Sequence, residues 1–172
     1  MKKLLSIMIM TVGFSGCVFT PPARQVVTLP DTEVIESSGS VWNSAVTETD
    51  PLLKVAKKQL GVRYRLGGAS PDGFDCSGFV SYVYAMVGVN LPRTAYAQST
   101  YGRILGAEDI FPGDILFFET SDSGKVNHAG IYLGKGKFIH ASSGKGEVII
   151  STIDSGFYKE AFRWGTRVEY QQ

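Results

Sequence analysis

The sequence predicts an α+β domain in which helices come first and an antiparallel sheet follows. Two segments with helical character, residues 50–61 and 76–88, each end at a glycine. Further along, the chain changes to short strand-like segments separated by turn residues: "ILFF", "HAGIYLG", "KFIHAS", "EVIIS" and "AFRWGTRV". Helices followed by closely spaced strands favour helices packed on one side of an antiparallel sheet of five or six strands.

The first predicted helix lies in "DPLLKVAKKQLG". Asp50 can cap its start, Pro51 suits the first helical turn, and Gly61 suits the end. The apolar residues share one face, which we expect to be buried: Leu52, Leu53, Ala56 and Leu60.

The second predicted helix is "CSGFVSYVYAMVG", from Cys76 to Gly88, and it is apolar nearly all round. A helix of this composition is expected to be buried. A shorter helix is predicted from about Ala95 to Tyr101, after "LPRT". We expect Arg93 in that loop to be solvated, with binding of a substrate carboxylate as the alternative.

The N-terminus has the pattern of an export signal. Lys2 and Lys3 precede the apolar stretch "LLSIMIMTV", which is too short to span a membrane, and "GFSGC" follows it. A cysteine directly after Ser15 and Gly16 resembles a bacterial lipobox, which implies that residues 1–16 are a lipoprotein signal and that Cys17 is lipidated. The alternative is an ordinary signal peptide that is cleaved nearby.

Composition supports one globular domain after a tether. Residues 17–49 are rich in Thr, Ser, Pro and Val without a regular period, so we expect a lipidated cysteine with a flexible tether, followed by a domain at 50–172. The 17 Lys and Arg become 15 when residues 1–16 are removed, against 16 Asp and Glu. A charge near −1 gives no reason to propose nucleic acid as a partner, and we expect a monomer.

Cys76 is the only cysteine of the expected mature domain, and it stands at the start of the buried helix. Unsatisfied N–H groups and the helix dipole favour an anion there, which predicts a lowered thiol pKa and a site for an oxyanion. Asp75 opposes thiolate formation by its charge but is well suited to capping the helix. We expect Gly78 to allow close approach of a substrate backbone. The alternatives are a structural buried cysteine and a disulfide with Cys17.

The chain has two histidines, and both lie in predicted strands. If the hairpin were centred on Gly134, His140 would stand directly opposite His128, with their Cβ atoms roughly 4.5–5.5 Å apart. A register slip of one residue would put the rings on opposite faces. Two histidines on one hairpin, in a domain with one thiol, predict a thiol nucleophile and its base. Cys76 with both histidines around zinc is the alternative.

Five motifs resemble the NlpC/Spr group of bacterial cell-wall hydrolases, which are papain-like cysteine peptidases: "YRLGGASPDGFDCSGFVSYVY", "LPRTAYAQ", "FPGDILFF", "HAGIYLG" and "KFIHASS". They occur in order over residues 50–168. The resemblance implies a papain-like fold with Cys76 as nucleophile, His128 as general base and then acid, and His140 as the polar group that orients His128. It also implies that Tyr64 is the active-site tyrosine near the nucleophile.

The resemblance further implies hydrolysis of an amide bond that involves diaminopimelate in a peptidoglycan stem peptide or cross-link, with no cofactor or metal. By analogy with Gram-negative lipoproteins, Val18 after Cys17 implies a lipid anchor at the periplasmic face of the outer membrane. The open alternatives are an N-acetylmuramoyl amidase or acyltransferase that uses the same dyad, and a non-catalytic wall-binding lipoprotein.

Overall fold

Six antiparallel strands form the main sheet of the computed structural model, which describes residues 50–170. Their spatial order is β3-β8-β4-β5-β6-β7. The bounds are Arg103–Leu105 (β3), Ile115–Phe118 (β4), His128–Gly134 (β5), Lys137–Ser142 (β6), Glu147–Thr152 (β7) and Phe162–Arg167 (β8). The prediction of an antiparallel sheet of five or six strands is therefore confirmed.

Four α-helices accompany these strands within the described residues: Pro51–Lys58 (α1), Cys76–Ala85 (α2), Ala95–Gln98 (α3) and Gly156–Ala161 (α4). A two-stranded ribbon of Ala69–Ser70 (β1) and Gly73–Phe74 (β2) lies just before α2, and a 3₁₀ turn spans Ala107–Asp109. The predicted signal at 1–16, the lipidation at Cys17 and the tether at 17–49 lie outside the described residues. No helix in the range that is described is long and apolar enough to cross a membrane.

Helix α1 begins as its sequence predicts. The Asp50 side chain accepts a hydrogen bond from the Leu52 N–H at 2.8 Å, and Pro51 occupies the first turn. Leu52, Leu53 and Ala56 are fully buried. Leu60 lies beyond the end of the helix and is 45% exposed, so its predicted burial is wrong.

Apolar side chains pack on both faces of the sheet. Neighbouring residues of β4 belong to different clusters, because side chains alternate between the two faces of a strand. Ile115 and Phe117 pack in the large cluster with residues of α1 and α2. Leu116 and Phe118 pack in a smaller cluster with Phe138 and α4. Helix α2 lies against β5 and β6, which brings its first turn close to both histidine-bearing strands.

The β5–β6 hairpin turns later than the sequence predicted, and its register shifts between Tyr132 and Gly134. Its two loop residues, Lys135 and Gly136, have φ values of 52° and 68°, as required in a tight turn of the I′ type. The pairs Ile131–Ile139 and Tyr132–Phe138 then continue toward Gly130 opposite His140. His140 is therefore two residues away from the predicted position opposite His128. Because a shift of two residues preserves the face, both histidines still lie on the same side of the sheet.

Candidate active site

The loop before α2 holds the start of the helix in place. Asp75 is the N-cap, and its carboxylate accepts hydrogen bonds from the N–H of Gly78 at 2.7 Å and of Gly67 at 2.9 Å. The Asp75 N–H donates to the Gly68 carbonyl at 3.0 Å. Cys76 is thereby fixed as the first residue of a buried helix, as predicted.

Gly78 is needed for a contact inside the protein. A Cβ at this position would lie 2.0 Å from the Gly68 carbonyl oxygen, a distance that no side chain tolerates. The prediction that a substrate backbone approaches Gly78 is therefore wrong, because the protein's own loop already occupies that space. The close contact brings the Gly67–Gly68 turn against the helix that carries Cys76.

Arg93 is solvent-exposed, as predicted for a loop arginine, with 44% of its side chain accessible, and it is also held against the same loop. Its guanidinium contacts both carboxylate oxygens of Asp75, at 3.0 and 2.6 Å, and also hydrogen-bonds to the Ser77 hydroxyl and the Gly68 carbonyl. Burial alone raises the pKa of the Asp75 carboxyl, but hydrogen bonds from Arg93 and from the Gly78 N–H outweigh burial and lower it. Asp75 therefore stays ionised as the cap of α2.

The Cys76 sulfur lies against the backbone on either side of His128. Its thiol is 3.8 Å from the Asn127 carbonyl, and the Ala129 N–H acts on the sulfur by lowering the thiol pKa. Burial and the nearby Asp75 carboxylate raise the pKa of the Cys76 thiol, and backbone N–H groups at Ala129 and at the helix start lower it by less. The predicted lowering of the thiol pKa is therefore wrong: the helix start acts in the expected direction, but burial and Asp75 outweigh it.

The two histidines and a serine form a chain of hydrogen bonds. His128 Nε2 lies 2.8 Å from His140 Nδ1, and His140 Nε2 lies 3.0 Å from the Ser151 hydroxyl. Both ring nitrogens of His140 thus take part in hydrogen bonds, whereas only Nε2 of His128 takes part in these bonds and its Nδ1 takes no part in them.

Burial keeps both imidazoles neutral. His140 is fully buried and His128 is 9% exposed. Burial lowers the pKa of His128 to about 4. Burial, with a smaller effect from His128, lowers the pKa of His140 to about 3. Both rings are therefore neutral at pH 7.

Aromatic rings fix the orientation of the histidines. Phe138 stacks on His140 with ring centroids 4.7 Å apart, and Tyr158 meets the same ring edge-on at 5.1 Å. Sequence reasoning did not single out Tyr158 or Ser151. Tyr158 lies in a six-residue helix too short for a clear period, and Ser151 resembles any other strand serine.

Tyr64 and Cys76 line the same cavity. Burial, followed by the charges of Cys76 and Asp75, raises the pKa of the Tyr64 hydroxyl, so it stays protonated and can donate a hydrogen bond. Its backbone is anchored by an N–H bond to the Gly146 carbonyl.

Two cavities adjoin these groups and share no lining residue. One, which we call the thiol cavity, has a volume of about 600 Å³ and is lined by Cys76, Tyr64, Arg93 and Asn127 among others. The other, the histidine cavity, has a volume of about 400 Å³ and includes His128, Ser142, Lys145 and Tyr158 in its wall. The dyad therefore borders open space on two sides.

Within the described part of the chain, no group of three or more His, Cys, Asp or Glu side chains is arranged to hold a metal ion. Cys17, the predicted lipidation site and possible disulfide partner, lies outside that part.

Comparison with known proteins gives one consistent group. A model of the NlpC/P60 family matches residues 61–167. A murein DD-endopeptidase MepS/murein LD-carboxypeptidase of Escherichia coli is 33% identical over 142 residues, which is 80% of this chain and 74% of that protein. A gamma-DL-glutamyl hydrolase of Bacillus subtilis is 40% identical over 111 residues, 63% of this chain, but only 27% of that protein is covered.

Solved structures give the same result. A crystal structure of an NlpC/P60 family protein from Bacillus cereus superposes with a TM-score of 0.65 at 34% identity. The match covers 69% of this chain and 39% of the other. The shared part is thus the α+β domain described above.

Proposed function

The chain belongs to the NlpC/P60 family, and from that premise we propose that it is a papain-like cysteine peptidase that hydrolyses peptidoglycan. In this proposal Cys76 is the nucleophile, His128 is the general base and then acid, and His140 orients His128. The observation that carries the proposal is the contact between the Cys76 thiol and the carbonyl of Asn127, the residue before His128, whose ring continues into a buried hydrogen-bonded chain.

The hydrogen-bonded chain defines where the protons lie. For His128 Nδ1 to accept the thiol proton, the ring's own proton has to be on Nε2, from which it donates to His140 Nδ1. His140 then carries its proton on Nε2 and donates to the Ser151 hydroxyl oxygen. In this arrangement Ser151 is a positioning residue, because its hydroxyl oxygen accepts the His140 proton and holds the ring that faces His128.

The reaction divides into two steps. The thiol proton passes to His128 Nδ1 as sulfur attacks the amide carbonyl, and the imidazolium then protonates the leaving amine, which leaves a thioester on Cys76. Water next gives a proton to His128, attacks the thioester and releases the acid with the thiol restored. Backbone N–H groups at the helix start and the Tyr64 hydroxyl are the candidate donors to the oxyanion.

Both partners of the dyad are neutral before substrate binds. The thiol pKa is raised and the pKa of His128 is lowered, and burial is the largest cause of each shift. Burial disfavours each charge by itself, and only an ion pair between thiolate and imidazolium would stabilise both. We therefore infer that the proton moves from the Cys76 thiol to His128 as the sulfur attacks the carbonyl.

Two bonds are candidates for the substrate: D-Glu to diaminopimelate within a stem, and D-Ala to diaminopimelate in a cross-link. The name of the Escherichia coli relative supports a murein peptide bond, and that of the Bacillus subtilis relative supports a γ-glutamyl bond. Each cut would release an amine of diaminopimelate.

The proposed location rests on the N-terminal sequence. The basic residues, the stretch "LLSIMIMTV" and "FSGC" support removal of residues 1–16 and lipidation of Cys17. A lipid anchor at the periplasmic face of the outer membrane would hold a monomeric domain near the wall, with residues 17–49 as a tether.

The test is digestion of purified sacculi, with mass spectrometry of the newly formed termini. A free diaminopimelate amine supports the endopeptidase. A free lactyl carboxyl with an L-Ala amine would instead identify an amidase, and new amide linkages would identify an acyltransferase. Absence of any new terminus, compared with a Cys76→Ala control, would identify a wall-binding lipoprotein.

A further inference from the structure

The histidine cavity contains lining residues, Lys145 and Phe157 among them, to which the proposed mechanism gives no role. Its wall includes His128 but not Cys76. We propose that this cavity receives the leaving group and that Lys145 binds a free carboxylate on the leaving residue. This inference rests on the proposed function and adds a preference among its substrates.

The chemistry of the reaction assigns a side of the substrate to each cavity. The acyl half becomes bonded to the Cys76 sulfur, so it has to occupy the thiol cavity, which Cys76 lines. The leaving amine takes its proton from His128, so the residue that carries this amine extends along the wall that His128 lines. The two cavities thus correspond to the two products.

The polar lining of the histidine cavity is suited to an anion. It includes residues with hydroxyl groups, the neutral His128 ring and Lys145, which alone among the described lining residues has a charged side chain. The nearby Glu147 carboxylate lies on the Gly61 side, where it is 4.0 Å from the position of a Cβ on Gly61. A carboxylate in the histidine cavity would therefore meet hydrogen-bond donors and a cation, and none of the lining residues that the structure gives for this cavity is acidic.

A hydrogen bond holds the backbone of Lys145 in place. The Lys145 N–H donates to the Ser142 hydroxyl at 3.2 Å, and Ser142 ends the strand that carries His140. The loop that presents the ammonium group is therefore tied to the catalytic hairpin.

The apolar part of the lining is suited to a hydrocarbon segment. Phe157 is 59% exposed although it is a large apolar residue, and it stands in the cavity wall together with Ile149. A leaving residue with methylene groups next to its carboxylate would cover this surface. Diaminopimelate, which leaves in both candidate reactions, has both features.

The experiment compares two peptides that differ only in the leaving residue: diaminopimelate with a free carboxylate beside the scissile nitrogen, and the same residue as the carboxamide. We expect wild-type kcat/KM to be about threefold to tenfold higher for the carboxylate, since Lys145 is exposed and its ion pairs are screened. The preference should shrink as salt is raised, which a purely structural role of Lys145 would not produce.

Two variants of Lys145 and one control variant test the role of Lys145. Lys145→Met should bring the ratio of the two kcat/KM values close to one, and Lys145→Arg should keep a preference for the carboxylate. Lys54→Met is the matched control, because Lys54 is an exposed lysine on α1 that lines neither cavity. It should keep the wild-type ratio.

Equal cleavage of both peptides by the wild type would overturn the inference and leave the proposed function intact. A preference that survives in Lys145→Met would also overturn it, because the anion would then be bound elsewhere. Cleavage of neither peptide, together with intact sacculi, would instead reject the proposed function on which the inference depends.

Discussion

Acidification should destabilise this domain, because its two histidines are buried as neutral rings. An unfolded histidine binds a proton near pH 6.5, whereas the folded protein holds the pKa of His128 at about 4 and that of His140 at about 3. Between these values the unfolded state binds more protons, so the free energy of unfolding falls as the pH is lowered.

The magnitude follows from the two shifts. From pH 7 to pH 5, each histidine should remove about 2 kcal/mol from the free energy of unfolding, or about 4 kcal/mol for the pair. Small domains typically have only about 5–15 kcal/mol in total, so this loss is large. Asp75 has a lowered pKa and contributes only at more acidic pH, which separates its effect from that of the histidines.

The assay is urea denaturation followed by tryptophan fluorescence at pH 7, 6 and 5, at constant ionic strength. The chain has no histidines besides His128 and His140, so His140→Asn should reduce the loss between pH 7 and pH 5 to about half. A wild-type stability that is flat over this range would refute the reasoning. So would a His140→Asn variant that shows the full loss.

Three further predictions concern the thiol, the roles of the histidines and the anchor. Because the thiol pKa of Cys76 is raised, iodoacetamide should alkylate Cys76 more slowly at pH 7 than it alkylates a free cysteine. The rate of alkylation should rise steeply at alkaline pH, and a rate that has already reached its plateau at pH 6 would contradict this prediction. His128→Asn should lose on the order of 10²–10⁴ in turnover of a stem-peptide substrate, since asparagine cannot transfer a proton, whereas His140→Asn should keep clearly more activity. A larger loss for His140→Asn would mean that the two roles are reversed. Metabolic labelling with a fatty-acid analogue should mark the wild type but not Cys17→Ala, and an unlabelled wild type would rule out the anchor.

The spacing of apolar residues and the positions of glycine and proline were sufficient to predict much of the fold. The strand segments "HAGIYLG" and "KFIHAS" match β5 and β6 residue for residue, and the glycine-containing turn between them marks where the first ends and the second begins. The segments that were missed, Arg103–Leu105 and Gly156–Ala161, have three and six residues. Elements this short depend on contacts with the rest of the domain more than on their own sequence.

The hairpin register illustrates what local sequence does not define. The prediction placed the centre of the turn on Gly134, whereas the pairing of Gly134 with Lys137 and the positive φ of Lys135 identify Lys135–Gly136 as the loop. His128 and His140 still share a face, because the register shift between Tyr132 and Gly134 leaves a displacement of two residues from the predicted register.

The environment of the thiol was predicted less well than its position. The start of a helix is visible in "FDCSG", but the burial that raises the thiol pKa is a property of the assembled domain. The contacts of Arg93 with Asp75 link residues 18 positions apart, and nothing in "LPRT" indicates which acid the guanidinium will meet.

Turnover by variants of Cys76 tests the central claim most directly. Wild type, Cys76→Ala and Cys76→Ser would be compared on one stem-peptide substrate, with circular dichroism to show that each variant is folded. The account predicts that hydrolysis by both folded variants falls to the background rate, because neither can form the thioester under these conditions. A folded Cys76→Ala variant that hydrolyses the substrate at the wild-type rate would contradict the assignment of Cys76 as the nucleophile.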